Sequence, residues 1–122
     1  MTQIILIFGS LYGALAVIFR AFGAHALKKR FNQVQLKSFE TGVKYQMYHA
    51  IVLLVIGFNI SNPNSLMGIS FILGVFLFSF SIYALVLSDS LGKKLIFLGP
   101  VTPIGGLFLI IGWILLLFCI LH

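Results

Sequence analysis

Two histidines, an arginine and a glutamate are the first residues of this sequence whose chemistry asks for an explanation. Imidazole can ligate haem iron or zinc and can carry protons near neutral pH, and His25 and His49 flank one polar connection with Glu40 between them. If a first helix ends near His25 and a second enters the bilayer near His49, both rings lie at similar depth and Glu40 could add a carboxylate. The simpler reading makes each histidine an interfacial hydrogen-bonding residue, since two histidines without a ligand spacing are weak evidence for metal. His122 is a terminal residue. Arg20 could reach Glu40 across the connection, because charge near a hydrocarbon boundary is paired, solvated or snorkelled to the surface. Lys44, one turn after Glu40, competes for the same carboxylate, and a surface salt bridge is favoured over a buried functional pair. With Tyr45, Gln46 and Tyr48, these residues (Arg20, His25, Glu40, Lys44, His49) form the candidate polar cluster.

Nothing else points to a reaction. No hydrolase, kinase or dinucleotide signature is present, and Glu40 and Asp89 are the two acidic residues, too few for a carboxylate acid and base pair unless distant connections meet. Cys119 is the single cysteine, so no intrachain disulfide and no clustered cysteine site can form. The expectation is a non-enzyme with no catalytic residue, no metal site and no cofactor.

The elements that must position these side chains follow from composition. Of 122 residues, 61% are hydrophobic and 8% charged, with a mean hydropathy of +1.15. A soluble domain of this size would have to expose much of that apolar surface to water, so lipid is the expected solvent. The net charge of +6 does not indicate nucleic acid, because the basic residues alternate with long apolar runs rather than with stacking aromatics on a polar fold. The thirteen phenylalanines read as lipid contact and packing. The apolar run from Ile4 to Phe19 is not read as a cleavable signal, since no charge precedes it and Arg20 follows it.

A spanning helix needs about 20 mostly apolar residues. The chain therefore reads as one all-α integral membrane domain over 1–122, a four-transmembrane-helix bundle with spans near 4–22, 45–60, 66–87 and 96–121. Asn32 and Gln35 form a capping-box pair that starts helix 2 before the membrane does. From there Leu36, Phe39, Val43, Met47 and Ala50 recur at helical spacing opposite Lys37, Glu40, Thr41 and Lys44, an amphipathic interfacial start. Helix 4 is expected to be kinked or broken, because Pro100, Thr102, Pro103, Gly105 and Gly106 gather helix breakers in an apolar setting; the alternative has Thr102 as N-cap with Pro103 at the first helical position. Gly9 with Gly13, and Ser70 with Gly74, are small-residue pairs that permit close helix packing. Whether their partner helix belongs to the same chain stays open, and the lateral surface of so small a bundle leads to the expectation of a homo-oligomer.

All eight Lys and Arg fall on one side of the expected spans: Arg20, Lys28, Lys29, Arg30, Lys37 and Lys44 around the first connection, Lys93 and Lys94 in the third. The positive-inside rule then places loops 23–44 and 88–94 in the cytoplasm and both termini outside a cell membrane. Lys28, Lys29, Arg30, Lys37, Lys93 and Lys94 are the expected contacts to anionic headgroups.

Three strings carry a resemblance: Gly23-Ala24-His25-Ala26-Leu27, Phe39-Glu40-Thr41-Gly42-Val43-Lys44-Tyr45-Gln46-Met47-Tyr48-His49-Ala50, and Leu98-Gly99-Pro100-Val101-Thr102-Pro103-Ile104-Gly105-Gly106. Over nearly its whole length the chain resembles the small membrane proteins grouped as domain of unknown function 423, which include bacterial inner-membrane proteins of the UPF0382 type and the animal transmembrane protein 256. The resemblance implies a short, helical, multi-spanning membrane protein and transfers no catalytic residue. The leading expectation is thus a non-catalytic protein that interacts with lipids or membrane-protein partners to support membrane integrity or assembly. The alternative is a small cofactor-binding or transport protein using the polar cluster.

Overall fold

Apolar chain in hydrocarbon has to satisfy its own backbone polar groups, and the computed structural model, which describes residues 1–121, is helical nearly throughout, with no strand among the described residues. His122 lies outside the described residues. Helix α1 (Thr2–Phe22) continues through a π-helical turn, Gly23–Leu27. Helix α2 (Gln33–Asn59) follows, then α3 (Ser65–Val75), which runs through a second π turn, Phe76–Phe80, into α4 (Ser81–Ser90) as one rod. A 3-10 turn at Ile96–Leu98 precedes α5 (Val101–Leu121).

The boundaries have local causes. The Asn32 side chain accepts from Gln35 N at 2.8 Å while Gln35 Oε1 accepts from Asn32 N at 3.0 Å, a reciprocal cap that starts α2 ahead of its apolar stretch. Asn64 caps α3 through Leu66 N at 2.8 Å. The end of α4 is a Schellman turn: Gly92 takes φ +81°, its N–H donates to Asp89 O, and Lys93 N–H donates to Ser88 O. Helix α5 begins at Val101, so Thr102 is inside its first turn and does not cap it. The Thr102 hydroxyl instead lies 2.6 Å from Ser81 Oγ on α4. Pro103 is tolerated there because first-turn N–H groups have no intrahelical acceptor to lose.

Three stretches are long and apolar enough to cross a membrane: Thr2–Leu27, Ser65–Ser90 and Ile96–Leu121. The second expected span differs. Its helix carries Lys37, Glu40 and Lys44 in its first half, with Gln46 and His49 beyond them, and that polarity keeps α2 out of the set.

The α3 to α4 rod packs against each of the other helices. Helix α1 lies along α2, and the α3 to α4 rod lies between α2 and α5. One core gathers Ile5, Tyr12, Leu53, Ile56, Phe71 and Leu109; a second, toward the basic end, gathers Ala16, Phe31, Phe39, Val43, Tyr83 and Val86. The stripe from Leu36 to Ala50 turns inward as its spacing indicates, with Phe39, Val43 and Ala50 buried and Lys37 and Lys44 exposed. Gly9 faces the Ala50 carbonyl, 3.1 Å from where a Cβ would stand, so this small-residue pair seats α1 on α2 of the same chain. Gly74 faces Leu109 of α5 in the same way, at 2.7 Å.

Candidate functional site

The polar cluster expected from the sequence separates into an inner and an outer part, because residues three and four apart share a helix face while residues six apart do not. Glu40 and Lys44 point outward; Gln46 and His49 point into the bundle.

Gln46 is fully buried (0% exposed) and joins three helices. Its Nε2 donates to the Tyr12 carbonyl of α1 at 2.8 Å, and its Oε1 accepts from the Tyr83 hydroxyl of α4 at 2.7 Å. The Tyr12 hydroxyl in turn donates to Ile72 O of α3 at 2.8 Å. Beside them Ser79 Oγ, on the second π turn, donates to Gly42 O of α2 at 2.7 Å. Unpaired polar atoms in hydrocarbon cost several kcal/mol each, so these bonds hold the rods in register.

His49 (4% exposed) has both ring nitrogens engaged. Nδ1 lies 2.7 Å from the Tyr45 carbonyl, an acceptor, so Nδ1 carries the proton. Nε2 lies 3.0 Å from Trp113 Nε1, an obligate donor, so Nε2 accepts. The two bonds together define a neutral ring with its proton on Nδ1, and neither nitrogen is open to a metal or a mobile proton. Phe71 and Trp113 flank the ring, with centroids 5.8 and 5.9 Å away. The 15N spectrum of His49 should therefore show the Nδ1–H tautomer, and Trp113→Phe should keep it, because the Tyr45 carbonyl still requires a donor at Nδ1; an Nε2–H ring in the parent protein would contradict this geometry.

The outer residues stay at the surface. Arg20 Nη1 lies 3.3 Å from Glu40 Oε1, with the two side chains 64% and 46% exposed. Thus Arg20 does reach Glu40, as an exposed pair, and Lys44 is not its partner. His25 is exposed on the first π turn, apart from the buried His49, so the expected grouping of two histidines with Glu40 does not form. Tyr45 and Tyr48 are exposed, with ring centroids 5.9 Å apart. Among the described residues no three His, Cys, Asp or Glu side chains come together as a metal site.

The basic residues gather at one end of the bundle. Gln35 Nε2 donates to Asp89 Oδ2 at 2.9 Å, tying the start of α2 to the end of α4, so Lys28, Lys29, Arg30, Lys37, Lys93 and Lys94 border one surface. Asp89 is exposed and holds this bond. Sequence reasoning missed Tyr12, Tyr83 and Trp113 as partners; the signal was their polar tips inside apolar runs, since a buried Tyr or Trp normally finds a hydrogen-bond partner.

A family model described as protein of unknown function (DUF423) matches residues 19–106, a range that contains the Arg20 to Glu40 pair, most of the buried network and the glycine-rich start of α5. A UPF0382 membrane protein of Staphylococcus aureus (strain bovine RF122 / ET3-1) is 40% identical over 119 residues, covering 94% of this chain and 93% of the relative. One of Staphylococcus haemolyticus is 38% identical with the same coverage. The UPF0382 membrane protein YwdK of Bacillus subtilis is 35% identical over 93% of both chains. No solved structure matches the chain. With three apolar helices of spanning length and relatives named as membrane proteins, the chain is a membrane protein and belongs to the DUF423 family.

Proposed function

We propose that this chain is a single-domain, four-span, non-catalytic protein of the cell membrane that engages lipid headgroups at a basic cytoplasmic end and supports membrane integrity or the assembly of membrane-protein partners. In this reading α2 is the fourth span, its polar Gln46 and His49 shielded from lipid by the other three rods, and both termini lie outside. The observation that carries the proposal is a division of the polar side chains. Those inside the bundle are paired with one another, whereas seven of the eight basic residues, all but Arg20, have no ion-pair partner among the described residues and are exposed at one end. Side chains engaged in holding helices leave little for a reaction, and a basic rim at a helix boundary suits an anionic surface.

Each basic residue near such a surface contributes about 1 kcal/mol. Replacing Lys28, Lys29 and Arg30 together by Gln should therefore weaken retention of phosphatidylglycerol by about 3 kcal/mol, roughly a hundredfold, as read by lipid exchange from detergent-purified protein. Unchanged retention would remove the rim from the account. For the cellular role, a strain lacking the gene should differ from its parent in membrane permeability, lipid composition or stress survival; equality in all three would overturn the proposal. The cofactor or transport alternative has less support, because Gln46 and His49 face inward while Arg20 and Glu40 face out.

A further inference from the structure

The seam between α1 and α2 has two adjoining hollows of opposite character. At the basic end lies a cleft of about 240 Å³ whose polar lining is Arg20, Lys28 and Glu40, set over the ring of Phe39. Phe39 can approach this closely because Gly23 has no side chain: a Cβ there would stand 2.7 Å from the ring. The first π turn carries the chain from Arg20 on α1 round to Lys28, so both cations reach the same cleft as Glu40 of α2. Along the same seam runs a second hollow of about 380 Å³, walled by apolar surface from Val17, Ala21, Met47 and Tyr48 and by the apolar stem of Lys44. Arg20 and Val43 line both hollows, so the polar cleft opens onto the apolar groove.

A polar head with an apolar tail is the ligand such a pair of hollows fits, and the charges say which head. Arg20 touches Glu40 through one nitrogen and one oxygen at 3.3 Å, longer than a strong charged hydrogen bond of about 2.8 Å. The carboxylate therefore retains its second oxygen and the guanidinium most of its five donors. Lys28 has no ion-pair partner among the described residues. A purely anionic headgroup would satisfy Arg20 and Lys28 but stand against Glu40. A headgroup with an ammonium beside its phosphate satisfies all three, and the ammonium must carry hydrogens to donate to the carboxylate, which a quaternary amine cannot do.

We propose that the α1/α2 seam holds one phospholipid with a primary ammonium in its headgroup: phosphate on Arg20 and Lys28, ammonium on Glu40, and an acyl chain in the groove beside Val17 and Met47. This deepens the lipid-binding reading above and rests on it. The other basic residues meet anionic lipid diffusely; this site selects one molecule.

The test is native mass spectrometry of the purified protein offered phosphatidylethanolamine, phosphatidylcholine and phosphatidylglycerol of identical acyl chains, following the last lipid retained as activation energy rises. Phosphatidylethanolamine should persist as a 1:1 adduct at least fivefold over the other two. Glu40→Gln should bring the ethanolamine to choline ratio close to one, and Ala21→Trp, which fills the groove, should lower retention of the 1:1 adduct at least fivefold with helicity unchanged. Asn62→Ala, in the connection at the other end of the bundle, should leave the adduct as it was. Equal retention of ethanolamine and choline lipids, or a preference that survives Glu40→Gln, overturns the proposal. Preferential retention of phosphatidylglycerol overturns it while leaving the general lipid reading standing, and loss of all three lipids alike removes both.

Discussion

Gly105→Ala is expected to destabilise the bundle by about 3 kcal/mol, the upper part of the range for forcing a methyl into a packed interface, while Gly106→Ala stays within about 0.5 kcal/mol of the parent. A Cβ at residue 105 would stand 2.7 Å from Leu77 C and 2.8 Å from Phe78 Cα. These are backbone atoms of the second π turn and cannot rotate aside, so α5 would have to withdraw and take with it the Ser81 to Thr102 and Trp113 to His49 contacts. At residue 106 the nearest atoms are ring carbons of Phe78 at 3.7 and 3.9 Å, ordinary contact. Unfolding in mixed micelles by increasing sodium dodecyl sulfate would measure both. Equal stability of the two variants would mean that α5 does not meet the π turn backbone to backbone.

The second large effect is expected at Gln46. Gln46→Ala removes a fully buried side chain and both of its bonds, and should cost about 3 kcal/mol from the cavity and the lost partners together. Gln46→Leu keeps most of the volume and isolates the polar part, so about 1.5 kcal/mol is expected. Combined with Tyr83→Phe in a double-mutant cycle, it should show a coupling of about 1 kcal/mol, within the range measured for hydrogen bonds between membrane helices. The same unfolding titration reads the cycle. Strict additivity would show that the Tyr83 hydroxyl does not depend on Gln46.

These two sites show where the sequence was legible. Helix existence was readable because apolar runs of spanning length have few other solutions, and the start of α2 was readable because a cap is a local device: Asn32 and Gln35 lie three residues apart. The inward stripe from Leu36 to Ala50 follows from helical period alone. Tertiary partners were not readable in the same way. Gly105 and Gly106 are adjacent and equally suited to a helix break, and only the approach of Phe78 separates them. The π turn at Phe76–Phe80 adds a residue to one helical turn, so α4 cannot be phased by extending the pattern of α3. In the polar cluster, Gln46 and His49 group with Arg20 and Glu40 because all flank one connection between two expected helices, yet helix phase turns the two sets apart. Tyr12, Tyr83 and Trp113, which complete the inner network, lie 34, 37 and 64 positions from the residues they bond.

The basic rim can meet cytoplasmic headgroups only if its end of the bundle faces the cytoplasm. On a Cys119→Ser background, single cysteines at Asn62 and Lys29 report the two ends, both being exposed side chains in connections. A membrane-impermeant maleimide applied to intact cells should label Asn62→Cys and leave Lys29→Cys unreacted until the membrane is opened. Labelling of Lys29→Cys from outside, with Asn62→Cys protected, would put the basic rim on the wrong face and contradict the proposal.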